Sequence, residues 1–506
     1  MVAKTKTFSF SGIEATPVDV QVKISNGNPL FSIVGLPDKS VGESKERVRG
    51  AITSTGLSWP FEKITVNLAP ADLQKEGGHF DLAIALGIMV EMGVLPQYLI
   101  DKYFIMGELS LDGSVHSVAG IISSAITANQ LGCGIICPQA NGKEAVWAGD
   151  GVEIIATPDI LSLINHLKGE QILNRPENFQ NFHNNKYPDF ADVKGQEQAK
   201  RAIEISASGG HNILMIGSPG SGKSMLASRI PSILPDLELM EILEINMIAS
   251  VSDKINAGKL ITSRPFREVH HSCSMPAMVG GGVRAKPGEV SLAHQGVLFL
   301  DELAEFSRQV LDSLRQPLEN QEITISRANS CATYPANFQL VGAMNPCRCG
   351  FLGDATKECK RAPLCGEEYK NKISGPLLDR IDIVVEVGQF DFFANEKNKI
   401  KNESSEIIKQ RVLEVRNLQK QRFAQFEELQ NMSMLNSKIE GKFLDKFCKI
   451  DEELQNILQN FAIKNKTSIR GITRILRVAR TIADMEGAEE IERGHLLEAI
   501  SYRKKI

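Results

Sequence analysis

Eight consecutive residues carry the most specific chemistry in the sequence: Gly217, Ser218, Pro219, Gly220, Ser221, Gly222, Lys223 and Ser224. They fit G-x-x-x-x-G-K-[ST] between an apolar run (212–216, NILMI) and a helical run (225–230, MLASRI), the setting this pattern needs. Glycines here let successive backbone N–H groups close around phosphate oxygens, and the following helix adds the positive end of its dipole. A lysine before the terminal hydroxyl reaches the β and γ phosphates, and the hydroxyl is a ligand for Mg²⁺. The expectation is an ATP site in which Lys223 supplies charge and Ser224 holds the metal.

Asp301 and Glu302 end a second apolar run (297–300, VLFL). A carboxylate at that strand end sits beside the metal, and the next one can orient and deprotonate the attacking water. A solvated strand end is the plainer reading, but the phosphate-binding pattern upstream favours the catalytic one. Asn345 follows a third apolar run (338–343) and offers an amide to water or to the γ-phosphate; alternatively it caps the turn before Pro346. Arg380, within 374–382 (SGPLLDRID), is either a surface ion pair worth about 0–1 kcal/mol or, in a ring of subunits, a charge that reaches the neighbour's γ-phosphate. In the helical stretch 468–480, Arg470, Arg474 and Arg477 share one face, and Ile472, Ile475, Leu476, Ala479, Ile482 and Ala483 share the other. Three unpaired arginines suit an anion; a solvated basic face is the alternative.

Four cysteines, Cys347, Cys349, Cys359 and Cys365, fall within 19 residues and can close a tetrahedral Zn²⁺ site. The alternative is four unrelated thiols in an exposed loop. Cys133, Cys137, Cys273, Cys331 and Cys448 read as ordinary buried or half-buried thiols. His270 and His271 are poor joint ligands, because adjacent imidazoles rarely converge on one metal. Their glycine-rich segment, running to Arg284 and Lys286, and the stretch 324–338 with Arg327 and Tyr334 have the basic and aromatic character of pore loops that track a nucleic-acid backbone; exposed loops are the alternative.

These groups need elements to hold them. Short apolar runs at 212–216, 297–300, 338–343 and 381–387, separated by helical stretches, indicate a parallel α/β sheet over 191–395, carrying the cysteine insertion at 347–365. Before it, residues 1–168 alternate short strands (18–24 and 64–68) with helices (80–90), and the polar stretch 169–190 reads as a linker. After it, 396–506 is polar and helical. Of the 506 residues 42% are hydrophobic and 23% charged, which excludes a disordered or fibrous chain. A net charge of −4 excludes a globally basic nucleic-acid coat, so any such contact is local. No apolar run reaches the ~20 residues of a membrane span, and the N-terminus lacks a signal sequence. The expectation is a soluble cytoplasmic protein with no membrane partner.

The ordered series now on the page resembles an AAA+ ATPase of the magnesium-chelatase-like branch: 265–272 (PFREVHHS), 280–282 (GGG), 287–296 (PGEVSLAHQG), 315–319 (RQPLE), 325–328 (ISRA) and 343–346 (AMNP). With residues 1–168 included, the chain is similar to the ComM (YifB) family over nearly its full length. The resemblance implies an AAA+ parallel-sheet core with a C-terminal helical lid. It also implies ATP and Mg²⁺ as cofactors, a homo-hexamer, and single-stranded and branched DNA as partners. The implied activity is that of a branch-migration helicase acting in natural transformation, with Arg380 as the finger supplied to the neighbour and Arg470 as the second sensor.

Residues 1–168 resemble the proteolytic domain of Lon, an α+β fold of the ribosomal S5 domain 2-like type. Against the Lon serine turn K-D-G-P-S-A-G, this sequence has 75–81 (KEGGHFD), with His79 at the serine position. Aligning 107–113 (GELSLDG) puts Ile122 at the lysine position. A Ser–Lys dyad needs both groups, so no peptidase activity is expected. Three rival readings of the whole chain are a motor for metal insertion into a porphyrin, for which no porphyrin site is visible in the sequence, a nucleotide-switched adaptor, which Asp301 and Glu302 weigh against, and an ATP-dependent protease, which His79 and Ile122 weigh against.

Overall fold

The period-two apolar pattern at Val18, Val20 and Val22 belongs to a strand with one buried face, and in the computed structural model all three are buried within the strand Glu14–Ser25. The structure describes residues 2–177, 187–252, 260–282, 285–326, 331–352, 359, 361–388, 402–429 and 434–503. Glu14–Ser25 lies in a seven-stranded mixed sheet of order Leu30–Val34, Lys63–Ala69, Glu14–Ser25, Ala3–Ser11, Tyr103–Ile105, Gly134–Pro138, Ile154–Thr157. The helix expected over 80–90 is Asp81–Glu91, buried from Asp81 through Met89. Asp81 is a buried carboxylate held by Arg47 (Nε to Oδ2, 2.6 Å) and by the N–H of Leu109 (3.2 Å).

His79 and Ile122 are both buried on this sheet. The His79 Nε2 lies 2.8 Å from the Phe8 carbonyl, and its ring packs against Phe10 with centroids 5.5 Å apart. An imidazole tied to a carbonyl activates no hydroxyl, and Ile122 brings no amine. Burial, opposed by the Phe8 carbonyl, lowers the imidazole to about 4. Between that value and its unfolded value near 6.5, the unfolded chain binds a proton that the folded chain does not. Stability therefore rises with pH across the window and is lost as pH falls through it. This one residue is expected to cost about 2 kcal/mol between pH 7 and pH 5. Urea unfolding at both pH values checks it: His79→Gln should show a shallower pH dependence than the wild type, and equal slopes would refute the assignment.

The second sheet is entirely parallel, in the order Phe266–Val269, Val297–Leu300, Gln339–Met344, Ile213–Ile216, Ile383–Glu386. Four of these strands match the apolar runs. The fifth, Phe266–Val269, was not anticipated: it is a half-exposed edge strand with Arg267 and Glu268 at its centre, so no apolar run marks it. Helices Ser405–Ala424, Glu452–Asn465, Ile469–Met485 and Arg493–Ser501 follow the sheet. Ile475, Ala479, Ile482 and Ala483 bury the apolar face of Ile469–Met485 against the same core as the central strands. Among the described residues, no helix is long and apolar enough to cross a membrane.

The two sheets are joined by packing as well as by chain. The Ser11 Oγ donates to the Cys331 carbonyl (3.0 Å), and the Gly120 N–H donates to the Ser250 Oγ (2.8 Å). Cys331 begins the second strand of a hairpin, Glu322–Ser326 with Cys331–Pro335. Two expectations are corrected here. Tyr334 is only 2% exposed, because it pairs across the hairpin with Ile323 and faces the core, so it offers no stacking surface to a nucleic acid. Cys331 is exposed rather than buried. Arg284, Arg327 and Ala328 lie outside the described residues.

Candidate functional site

Parallel strands leave the start of each following loop at one edge of the sheet, and that edge gathers the candidate residues. Gly217 follows Ile213–Ile216 directly, and Gly222, in the left-handed region at φ +92°, caps the helix Lys223–Ala227. The Lys223 ammonium donates to the carbonyls of Gly217 (2.8 Å) and Ser218 (3.0 Å) and lies 3.3 Å from the Asn345 Oδ1. Burial pushes its pKa down, against the pull of Asp301 and Glu302. A phosphate would compete directly with these carbonyls for the ammonium.

The Ser224 Oγ donates to the Asp301 Oδ2 at 2.7 Å. A hydroxyl and a carboxylate converging from two strands are oxygen donors of the kind Mg²⁺ takes. The next residue, Glu302, has a left-handed backbone (φ +52°, ψ +46°), a conformation that costs a non-glycine residue about 1–3 kcal/mol and is concentrated at functional sites. Its N–H donates to the Asp301 Oδ1 (2.8 Å), and its carboxylate lies 3.2 Å from the His271 Nδ1. The sequence places His271 in a segment of pore-loop character; in the structure it stands beside Glu302. The signal is strand register: Val269 pairs with Leu300, so His271 and Glu302 each stand two residues past the ends of adjacent parallel strands.

The arginines sit at the other edge. An open cavity of about 680 Å³ is lined by residues just before the strands, including Asn212, Gln295, Asn337 and Asp382, together with Arg380, Arg470 and Arg474. Arg380, with its side chain 8% exposed, donates to the Pro376 carbonyl (2.6 Å) and to Glu319. Arg470, 69% exposed, lies 3.9 Å from the same Glu319 carboxylate. Glu319 had not been singled out in the sequence. Burial and the like charges of Arg470, Arg315 and Arg474 push the Arg380 guanidinium below its ordinary value, with Glu319 opposing them. The Nε atoms of Arg315, Arg380 and Arg474 are buried without an acceptor.

The expectation of three unpaired arginines is corrected. Arg474 is ion-paired with the buried Asp382 at 2.5 Å, and Arg477 donates to the Ile439 carbonyl (2.7 Å) and to Glu440 (3.0 Å). Only Arg470 of the three extends into solvent, and it stands with Arg380 rather than beside this chain's own phosphate loop.

The four clustered thiols do meet. The sulfurs of Cys347, Cys349, Cys359 and Cys365 all lie within 4.8 Å of one another, and those of Cys347 and Cys349 are 3.2 Å apart. Tetrahedral zinc with bonds of about 2.3 Å requires sulfurs about 3.8 Å apart, so the donor set fits one ion after small adjustments. The Phe351 N–H holds the Cys349 thiol below its ordinary value. Gly353 and Lys357, in the middle of this loop, lie outside the described residues.

Comparison with known proteins agrees in one direction. Three family models match in order along the chain: subunit ChlI of Mg-chelatase over 20–141, magnesium chelatase subunit ChlI over 189–394, and the ChlI C-terminal model over 402–503. The chain is similar to the uncharacterized protein YifB of Escherichia coli, at 43% identity over 97% of this chain and 95% of that one. It is similar to the competence protein ComM of Haemophilus influenzae, at 40% identity over 98% and 96% of the two chains. The magnesium-chelatase 38 kDa subunit of Rhodobacter capsulatus is more distant, at 23% identity over 61% and 84%.

Proposed function

The chain belongs to the ComM/YifB family of magnesium-chelatase-like AAA+ proteins, and from that premise we propose that it is an ATP-driven motor on DNA. It works as a homo-hexameric ring that migrates branched junctions, with single-stranded and branched DNA as its substrates, in the recombination that integrates incoming DNA during natural transformation. Similarity to a competence protein supports the process.

The observation that carries the reading is the division of charged groups between the two edges of one sheet. Lys223, Ser224, Asp301, Glu302 and Asn345 follow the strands, whereas Arg380 and Arg470 line a cavity beside the strand beginnings. Four-residue strands separate the edges by about 13 Å at ~3.3 Å per residue. A γ-phosphate held at Lys223 therefore lies away from the arginines at the other edge of the same chain. A ring closed by head-to-tail contacts brings the arginine edge of one subunit to the phosphate edge of the next.

In that arrangement the backbone N–H groups of 217–222 cradle the phosphates, and Lys223 leaves its carbonyl partners to neutralise them. Ser224 and Asp301 would hold Mg²⁺, which supplies charge neutralisation on the phosphate oxygens when bound. Glu302 takes the proton of the attacking water, Asn345 orients it, and the neighbour's Arg380, with Arg470 beside it, stabilises the charge that develops. Each arginine must first leave Glu319. Cys347, Cys349, Cys359 and Cys365 would hold Zn²⁺. Residues 1–168, which resemble the proteolytic domain of Lon, act as a scaffold or DNA-facing module without peptidase activity; the His79 contact with the Phe8 carbonyl supports the lack of peptidase activity.

The test is migration of a three-stranded or four-way DNA junction by purified protein. The expected result is ATP-dependent migration that Lys223→Ala loses, with hydrolysis stimulated by single-stranded DNA. Hydrolysis indifferent to DNA, with no junction movement, would overturn the DNA motor and favour the metal-insertion motor to which the 23% relative points.

A further inference from the structure

We propose that the cysteine knuckle is a metal-dependent strut for the phosphate loop, so that zinc held by Cys347, Cys349, Cys359 and Cys365 raises the affinity of the chain for nucleotide. The inference rests on the reading of 217–224 as the ATP site. It adds a dependence of that site on a second one.

Among the described residues, one contact joins the two directly and two more run through Met344 and Asn345, just before the knuckle. The tightest is at Gly350, which closes the turn begun by Cys347: its N–H donates to the Cys347 carbonyl at 3.0 Å, and its φ is +83°. A Cβ placed on Gly350 would stand 2.5 Å from the Pro219 Cδ and 2.6 Å from the Cγ. The knuckle backbone thus lies directly against the ring of a phosphate-loop residue, with no room for a methyl group. The second contact is the backbone bond from the Gly217 N–H to the Met344 carbonyl (3.2 Å). The third is Asn345, whose Oδ1 lies 3.3 Å from the Lys223 Nζ and which stands two residues before the first thiol.

Among the described residues of the knuckle, little else holds its shape. Cys347 and Cys359 are buried, but Arg348, Cys349 and the run 361–364 are exposed. So little buried surface does not offset the conformational entropy of ordering the segment, whereas a tetrathiolate metal site closes it. With the ion bound, Gly350 is a fixed wall behind Pro219 and Asn345 is a fixed amide beside Lys223. Without it, both relax, and the loop must bear the cost of ordering itself around the phosphates.

Coupling of this kind is reciprocal: if zinc strengthens nucleotide binding, nucleotide strengthens zinc binding by the same factor. The experiment uses the full chain. Zinc content is measured by elemental analysis, nucleotide affinity with a fluorescent ADP analogue, and zinc affinity by competition with the chromogenic chelator 4-(2-pyridylazo)resorcinol. We expect about one zinc per chain. Stripping it should weaken ADP affinity about fivefold or more, the low end for coupled sites. Zn²⁺ should restore the affinity, and saturating ADP should protect zinc from the chelator by the same factor. Gly350→Ala should keep its zinc yet bind ADP several-fold more weakly. Should that variant fail to fold, Pro219→Ala, which removes the ring that Gly350 touches, should abolish the protection of zinc by ADP. Zinc and ADP binding that ignore each other would overturn the strut while leaving the ATP site intact, as would protein that binds ADP but holds no zinc. Protein that binds zinc but no ADP would overturn both readings.

Discussion

Glu302→Gln is expected to leave nucleotide bound and hydrolysis lost, with turnover down about 10²- to 10⁴-fold, the usual contribution of a positioned general base. The substitution keeps the shape of the side chain and removes its capacity to take a proton. The hydrogen bonds that hold the phosphate cradle are made elsewhere: the Lys223 ammonium donates to the carbonyls of Gly217 and Ser218, and the Ser224 hydroxyl to Asp301. Glu302 instead faces His271, at 3.2 Å, and the space beyond the strand end. Binding of a fluorescent ATP analogue should therefore be unchanged while phosphate release collapses. A turnover within threefold of the wild type would remove Glu302 from the chemistry.

The second large effect is at Arg380. Guanidinium fingers that stabilise the charge of a transferring phosphoryl group are worth about 10³–10⁵ in rate, so Arg380→Ala should lose at least about a thousandfold in turnover. Arg380→Lys should recover little of it, because an ammonium lacks the planar fork of donors. ATP affinity of the isolated chain should be untouched, since Arg380 lines the cavity at the opposite edge of the sheet from Lys223. A loss of ATP affinity equal to the loss of turnover would mean that Arg380 acts in its own subunit.

Part of this was legible in the sequence for identifiable reasons. The pattern at 217–224 stands out in eight adjacent residues because the groups such a loop offers to phosphate are backbone N–H groups, which depend on local conformation more than on distant partners. The strands at 213–216, 297–300, 339–344 and 383–386 are buried on both faces over most of their length, so each appears as a short, mostly apolar run. What failed was what depends on distant partners. Arg474 and Arg477 look free along their helix, but Asp382 and Glu440 arrive from 92 and 37 residues away. Glu319 sits 61 residues before Arg380. Tyr334 looked like a stacking surface until the register opposite Ile323 turned it inward. The pairing of His271 with Glu302 needed an edge strand whose charged residues conceal it.

The claim beneath all of this is that each hydrolytic site is completed by a neighbouring chain, and mixing two inactive variants tests it most directly. Glu302→Gln protein keeps a sound Arg380, and Arg380→Ala protein keeps a sound Glu302. With random assembly at equal amounts, about a quarter of the interfaces in a head-to-tail ring join the two intact halves. The account predicts that ATP turnover reappears on mixing, peaks near equal amounts and disappears when either protein is in large excess. Mixed rings that form, as shown by exchange of labelled subunits, yet remain silent at every ratio would contradict it.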